Sequence, residues 1–296
     1  MASERRWVEP SRAGAASRYR LRVAACVTHT LEGKDVMKSF NKSALVAAAT
    51  VSIAFGSLGA QAANLEGAKT TVVLVHGAFA DGSGWDKVVA LLQARGLHVV
   101  AVQNPLTSLA DDVAATRRVL DVQTGPVVLV GHSWGGVVIS EIGIHDRVKS
   151  LVYVAAFAPS EGQSAADLGK GYPTPPGLSF LVQDREGFLT LSPDGIARHF
   201  AQDLPAAQTR LMAVRQGPIS AKSFDEKVTA AAWKMKPSWY VLTQQDHMID
   251  PSLQRAMAER ISAHIVNVPT SHVPQLSKPA QVANAIIAAA AAVAAN

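Results

Sequence analysis

The sequence predicts an α/β protein: a mostly parallel six-stranded sheet with helices on both faces and a cap inserted at one end. Three observations carry that prediction. From Thr70 onward, short β-branched runs alternate with segments of helical spacing, a pattern that builds parallel strands joined by crossover helices. The runs are apolar at nearly every position, as strands covered on both faces require. The alternation fails once, between Pro159 and Lys236, and that gap reads as an insertion over the sheet end.

Each element has a local reason. "TTVVLVH" (70–76) is a β-branched run suited to a fully covered strand. Residues 84–95 place Val88, Val89, Leu91 and Leu92 at helical spacing, and Gly96 can end that helix. "HVVAVQN" (98–104) is a second strand, stopped by Pro105. Ser108 can cap a helix over 109–121, with Asp111 and Asp112 in its first turn. "PVVLVGH" (126–132) is a third strand, and "WGGVVISEIG" continues as a helix. "VKSLVYVAAF" (148–157) is a fourth strand, "PSWYVLTQ" (237–244) a fifth and "HIVNVP" (264–269) a sixth. A helix over 251–261 separates the last two, and an alanine-rich helix over 279–295 closes the chain. Inside the insertion, "GFLTLSPDG" suggests a hairpin and "LPAAQTRLMAVRQ" a helical patch.

The 296 residues are 48% hydrophobic and 17% charged, values of a globular chain. The net charge of +5 could suggest a nucleic-acid partner, but its location argues otherwise. Residues 1–62 hold nine Lys/Arg and four Asp/Glu, whereas residues 63–296 hold nineteen of each. No nucleic-acid partner is therefore expected. Met37 opens a basic, then apolar, then Ala60-Gln61-Ala62 segment, the pattern of a secretory signal peptide over 37–62 cleaved after Ala62. Residues 1–36 read as an upstream extension before the real start, and residues 63–296 as one domain with its cap at about 159–236. The expected location is periplasmic or secreted, with no stable membrane insertion after cleavage. The single cysteine, Cys26, lies in the leader, so the predicted mature chain has no disulfide and no thiolate metal site. No histidine pair has helical zinc spacing, and no metal or cofactor is expected.

Chemistry concentrates in "GHSWGG". Gly131-His132-Ser133-Trp134-Gly135 fits G-x-S-x-G between a predicted strand and a predicted helix, the context in which this motif exposes a nucleophile. A serine hydroxyl needs a base, and the base an orienting acid. With this order of elements the partners should follow as acid and then histidine. Asp246 lies in the loop after the fifth strand and His272 in the loop after the sixth, at the same sheet edge as Ser133. Asp250 and Glu161 are competing acids, Asp250 being also well placed to cap the helix at Pro251. His132 is expected beneath the sheet edge; His145, His199 and His264 are expected at surfaces or element ends. The first strand ends in "HGAFADGSGW", where a backbone amide near Ala78 would join that of Trp134 as an oxyanion hole. Phe79 is the expected substrate contact beside it. Gly77, Gly82 and Gly84 lack dinucleotide spacing, so nucleotide binding is rejected.

From about Thr70 to the C-terminus these residues resemble the α/β-hydrolase superfamily. "VLVHGAFADGSGWDKVVALLQARGLHVVAV", "GHSWGG", "YVLTQQDHMI" and "SHVPQLSKP" are similar to the branch of hydroxynitrile lyases and plant methyl-ester esterases. The resemblance implies nucleophile, acid and base at Ser133, Asp246 and His272, with oxyanion amides at Ala78 and Trp134. It also implies departures. The lyases carry a lysine after the catalytic histidine, where Val273 stands, and a threonine at the site of Gly77. The expected activity is hydrolysis of small carboxylic esters, with Phe180, Phe188, Trp233 and Met212 of the cap shaping the pocket. Lyase or C–C bond cleavage on the same triad, and a receptor that binds small molecules, remain alternatives. Substrate identity and oligomeric state are not readable from the sequence.

Overall fold

The computed structural model describes residues 70–295. The leader, with the expected signal peptide and its cleavage point, lies outside the described residues. Six strands form one parallel sheet: β1 (Thr71–Val75), β2 (His98–Val102), β3 (Val127–His132), β4 (Val148–Val154) and two later strands introduced below. Helices α1 (Asp86–Gln93), α2 (Leu109–Asp121) and α3 (Gly135–Ile142) connect them. Between β4 and the fifth sheet strand the chain leaves the sheet. There it forms α4 (Ala165–Gly169), the strands β5 (Leu181–Gln183), β6 (Phe188–Leu191) and β7 (Ile219–Ser220), and the helices α5 (Pro193–Gly195) and α6 (Ala206–Arg215). It then returns as β8 (Ser238–Thr243), α7 (Pro251–Arg260), β9 (His264–Val268), α8 (Pro274–Ser277) and α9 (Pro279–Ala294).

The sheet order is β2-β1-β3-β4-β8-β9. The chain runs outward from β1 to β2, then crosses back to β3, so the connections leaving β1 and β3 diverge. In an open parallel sheet that point leaves a crevice at the carboxyl ends of the strands. Alternate strand residues face opposite layers. Val72, Leu74, Val128, Val130, Val152 and Val241 pack with Trp85, Val88 and Leu92 of the first crossover and with Val282 and Ile286 of α9. Val73, Val75, Leu129, Leu151, Tyr153 and Tyr240 pack with Leu120 of α2, Ile139 of α3 and Leu253 of α7. Each such aliphatic side chain withdrawn from water contributes roughly 1.5–3 kcal/mol, which explains the near-continuous apolar runs. The alanine-rich α9 is one of these layers. Its small side chains let it lie close against β3, β4 and β8. No helix among the described residues is long and apolar enough to cross a membrane.

Several boundaries differ from the sequence reading for identifiable reasons. Gly82–Trp85 is a 3₁₀ turn that precedes α1, because the Asp81 carboxylate accepts the Ser83 amide at 2.7 Å. β2 ends before Asn104, whose amide donates to His76 Nε2 at 2.9 Å in place of a ladder carbonyl. β4 stops at Val154 because Ala155 turns to φ 46°. The expected hairpin over "GFLTLSPDG" is corrected. Phe188–Leu191 is a strand, but its antiparallel partner is the upstream Leu181–Gln183. "SPDG" instead opens a helix: Ser192 accepts the Gly195 amide and Pro193 occupies the first turn, where its missing N–H costs nothing.

Candidate active site

Ser133 sits between β3 and α3 at φ 53°, left-handed backbone that costs a serine ~1–3 kcal/mol. The surroundings hold it there. Its amide donates to the Val154 carbonyl at 3.2 Å, and its carbonyl accepts from Gly136 at 3.0 Å and Phe157 at 3.2 Å. The turn works only with glycine beside it. A Cβ on Gly131 would lie 2.5 Å from the Gly135 carbonyl oxygen, and one on Gly135 equally close to the Val75 carbonyl oxygen.

His272 bridges the other two residues. Its Nε2 lies 2.8 Å from Ser133 Oγ and its Nδ1 2.8 Å from Asp246 Oδ2. A carboxylate only accepts, so Nδ1 carries the proton and Nε2 is left to accept from the serine hydroxyl. All three side chains are buried. Asp246 Oδ2 also accepts from Thr243 Oγ1 and from Gln254 Nε2, each at 2.8 Å. Its Oδ1 accepts the amides of Met248 at 2.8 Å and Ile249 at 3.0 Å. Burial alone would raise the Asp246 carboxyl; His272 and these two amides overturn that and hold it below its ordinary value. The competing acids do other work. Asp250 caps α7 through Ser252, and Glu161 pairs with Lys234 at 3.1 Å.

Ala78 and Trp134 flank Ser133, one after β1 and the other at the start of α3. Among the described residues neither amide donates to a protein acceptor, so both are available to an oxyanion. Three residues to which the sequence reading gave no part in the site set their positions. His76 accepts the Asn104 amide on Nε2 and therefore donates from Nδ1 to the Gly77 carbonyl at 2.8 Å. Asn104 Nδ2 returns a bond to the His76 carbonyl at 2.9 Å, which pins the strand end before Ala78. Asp112 of α2, fully buried, accepts the Trp134 indole N–H at 2.7 Å and the Leu106 amide at 2.8 Å. Burial pushes its carboxyl up to about 6, with these two bonds opposing. Apart from the bond between His76 and Gly77, these partners are not adjacent in sequence, and no short motif announces them.

His132 lies beneath the site, as expected, and has a definite partner: its Nε2 donates to the His272 carbonyl at 2.8 Å. The inserted segment also holds the site. Gln202 Nε2 donates to the Gln245 carbonyl at 2.6 Å, and Asp203 accepts the Ser271 amide at 3.1 Å. Both tied residues immediately precede members of the Ser-His-Asp set. His145 pairs with Asp121 at 3.1 Å, His199 faces His247, and His264 is exposed at the start of β9. No group of three or more His, Cys, Asp or Glu among the described residues is placed to hold a metal ion.

Ser133 and His272 open into a cavity of about 310 Å³. Ala78 and Phe79 line it together with Phe157, Tyr172, Leu181, Leu189 and Phe224. The four cap residues expected there do not. Phe188 alternates with Leu189 along β6 and so faces the other way. Phe180 packs on the His199 ring at 4.6 Å, and the Trp233 indole N–H donates to the Pro159 carbonyl at 2.8 Å. Met212 borders a different cavity.

The model of the alpha/beta hydrolase family matches residues 72–285. The chain belongs to that family. This α/β hydrolase is similar to the pyrethroid hydrolase of Sphingobium wenxiniae, 28% identical over 256 residues, 73% of this chain and 86% of that one. It is similar to methylesterase 2 of Arabidopsis thaliana, 27% identical over 257 residues, 75% of this chain and 96% of that one. Among solved structures, a pyrethroid hydrolase from Sphingobium faniae aligns with a TM-score of 0.65 at 25% identity, covering 77% of this chain and 99% of the other. Polyneuridine aldehyde esterase shares the fold, with a TM-score of 0.65 at 19% identity over 75% of this chain and 99% of that one. Within the hydrolase fold, Gly77 has a steric reason. A Cβ there would come 2.7 Å from Ser133 Cβ and 2.9 Å from the His132 carbonyl oxygen, so a threonine cannot enter without displacing the serine.

Proposed function

We propose that this protein is a serine hydrolase of neutral carboxylic esters, working through an acyl-enzyme. The observation that carries the reading is the single imidazole of His272, 2.8 Å from both Ser133 Oγ and Asp246 Oδ2. Ser133 Oγ forms a bond to the acyl carbon while its proton passes to His272 Nε2. The carbonyl oxygen, now negative, accepts from the Ala78 and Trp134 amides; each such donor lowers the barrier by about 3 kcal/mol in comparable sites. The C–O bond to the alcohol then breaks, and the proton on Nε2 goes to the departing oxygen. Water repeats the sequence on the acyl-enzyme and frees Ser133. Asp246 keeps the imidazole in the Nδ1–H form throughout. The mechanism draws on no cofactor.

Substrate charge follows from the cavity. Among the described residues that wall it, none is Lys or Arg, and Asp250 is the carboxylate at its rim. An anionic substrate would meet no counter-charge, whereas an uncharged ester with apolar groups matches the aromatic and aliphatic lining. The esterase and hydrolase names of the relatives point the same way. Lyase chemistry on this triad is disfavoured by Val273 and by the crowding at Gly77.

The test is hydrolysis of p-nitrophenyl acetate and butyrate by wild type and Ser133→Ala. Loss of the nucleophile should lower kcat about 10⁶-fold; equal rates would overturn the mechanism. A fluorophosphonate that fails to label Ser133 would favour a small-molecule receptor instead. We also propose export to the periplasm or medium, supported by the basic, apolar and Ala-x-Ala pattern of residues 37–62.

A further inference from the structure

A second cavity, about 320 Å³, lies on the histidine side of the site. Its walls include Phe79, Phe200, Leu211, Met212, Val273 and Leu276. Phe79 is the one wall residue it shares with the first cavity. Phe79 is buried, holds φ 59°, and meets the Phe200 ring edge-on at 6.4 Å. Phe200 in turn lies 5.1 Å from the His272 ring. The two phenylalanines therefore form the partition between the cavities, directly beside the base and the amide of Ala78.

Chemistry decides what such a compartment can hold. In ester cleavage the departing oxygen must receive the proton carried on His272 Nε2, so the alcohol half leaves on the histidine side of Ser133. Val273 and Leu276, which follow His272 in the chain, are walls of the second cavity and not of the first. The loops after β4 and β8, represented by Phe157 and Met248, belong to the first cavity alone. An ester whose carbonyl sits between the Ala78 and Trp134 amides thus has its acyl half toward one chamber and its alcohol half toward the other. Charge at the second mouth is balanced, Asp81 and Asp86 against Lys87 and Arg215, and the Lys87 ammonium is already bonded to the Leu276 carbonyl at 2.9 Å. The compartment suits an uncharged, apolar alcohol.

We infer that the second cavity is the alcohol subsite of this enzyme, with Phe79 and Phe200 as the partition that sets how large an alcohol is accepted. The inference rests on the esterase reading above. With the partition closed, methyl and ethyl esters fit in the first cavity alone; longer alkyl or benzyl alcohols require Phe79 to swing aside. The acyl preference is set chiefly by walls the two cavities do not share, such as Tyr172, Leu181, Leu189 and Phe224.

The experiment compares kcat/KM for methyl, butyl, octyl and benzyl butyrate, with acyl length varied separately on p-nitrophenyl esters. Phe79→Ala should raise the octyl-to-methyl ratio about tenfold or more, the scale of burying one or two more methylenes of the alcohol, and shift the alcohol series more than the acyl series. Met212→Trp, at a half-buried α6 position on the wall of the second cavity, should fill the compartment. It should lower kcat/KM for octyl butyrate at least tenfold more than for methyl butyrate. A Phe79→Ala enzyme that shifts only acyl preference, or a Met212→Trp enzyme with an unchanged alcohol series, overturns the subsite and leaves the esterase reading intact. If wild type shows no Ser133-dependent hydrolysis of any ester, both fall together.

Discussion

Replacing Asp246 by asparagine tests the relay at its most constrained point. The carboxylate accepts five hydrogen bonds: His272 Nδ1, Thr243 Oγ1 and Gln254 Nε2 on Oδ2, and the Met248 and Ile249 amides on Oδ1. Asparagine offers one oxygen and one NH₂ in the same shape. If the NH₂ took the Oδ1 site, two buried backbone amides would face a donor and lose their acceptor, at about 1–3 kcal/mol each. If the oxygen takes the Oδ1 site, both amides stay satisfied. The NH₂ then loses the Gln254 Nε2 bond, that donor keeping the Ile249 carbonyl at 3.0 Å, and faces Thr243 Oγ1, which can accept while turning its own proton to Gln254 Oε1 at 3.1 Å. It also faces His272 Nδ1, which must become an acceptor. The second orientation is the cheaper one, and it reverses the tautomer.

The reversed imidazole carries its proton on Nε2, 2.8 Å from Ser133 Oγ, and cannot take another. In a serine protease the same exchange lowers kcat by about 10⁴, equivalent to ~5.5 kcal/mol of barrier. That loss is expected for Asp246→Asn. Asp246 does not line the substrate cavity, so KM should stay within a factor of a few. The assay is steady-state hydrolysis of p-nitrophenyl butyrate near neutral pH, beside the rate of fluorophosphonate labelling, which should fall in parallel. Circular dichroism checks that the variant is folded. A folded Asp246→Asn enzyme that keeps a tenth or more of wild-type kcat would refute the reasoning, because no other carboxylate among the described residues bonds to His272 Nδ1.

Asp112 makes a stability prediction. Its folded-state carboxyl stands at about 6, above the ordinary ~3.9, so the folded protein binds this proton more tightly than the unfolded chain. Its contribution is full below pH ~4, is lost as pH rises through about 6, and amounts to roughly 3 kcal/mol in all. Urea unfolding of wild type and Asp112→Asn across that window should give a stability difference with this slope; a flat difference sinks the assignment. Export is checked by N-terminal sequencing of protein recovered from the periplasm or medium of a secreting bacterial host. Ala63 as first residue is expected, and an unprocessed cytoplasmic chain beginning at Met37 or Met1 argues against it.

The six sheet strands were legible because each is covered on both faces, and that environment admits little besides Val, Leu and Ile. Ser133 was legible because its strained turn excludes side chains on Gly131 and Gly135, which leaves a spelled motif. Asp246 and His272 needed only chain order and the rule that parallel strands deliver their following loops to one edge. The insertion obeys no such rule. Its cavity walls are chosen by a short antiparallel register, Leu181 against Leu191 and Gln183 against Leu189, so Leu189 enters the site and Phe188 does not. No periodicity over three or four residues encodes that choice. Asp112 was read as a first-turn acid of α2, a sound inference from position. Its bond to the Trp134 indole spans 22 residues and depends on how α2 and α3 pack, which local pattern does not express.

Two further histidines close to the relay bear on how it can carry charge. His132 lies with its ring 4.9 Å from that of His272, and His76 ends the strand beneath Gly77. In the proposed acylation His272 becomes an imidazolium. A second imidazolium at the His132 distance would oppose it by about 3 kcal/mol at an effective dielectric near 20, roughly a hundredfold in rate. Burial prevents this. It drives His132 down to about 3, with the His272 charge adding to the effect, and burial likewise lowers His76 against the pull of the Gly77 carbonyl and Asp81. Both rings therefore stay neutral at neutral pH, each a fixed donor to a backbone carbonyl: His132 to that of His272, His76 to that of Gly77. The site thus contains three imidazoles, of which His272 alone bonds to the Ser133 hydroxyl. The other two hold the backbone on which the base and the oxyanion amide depend, and do so without competing for the proton that Asp246 stabilises.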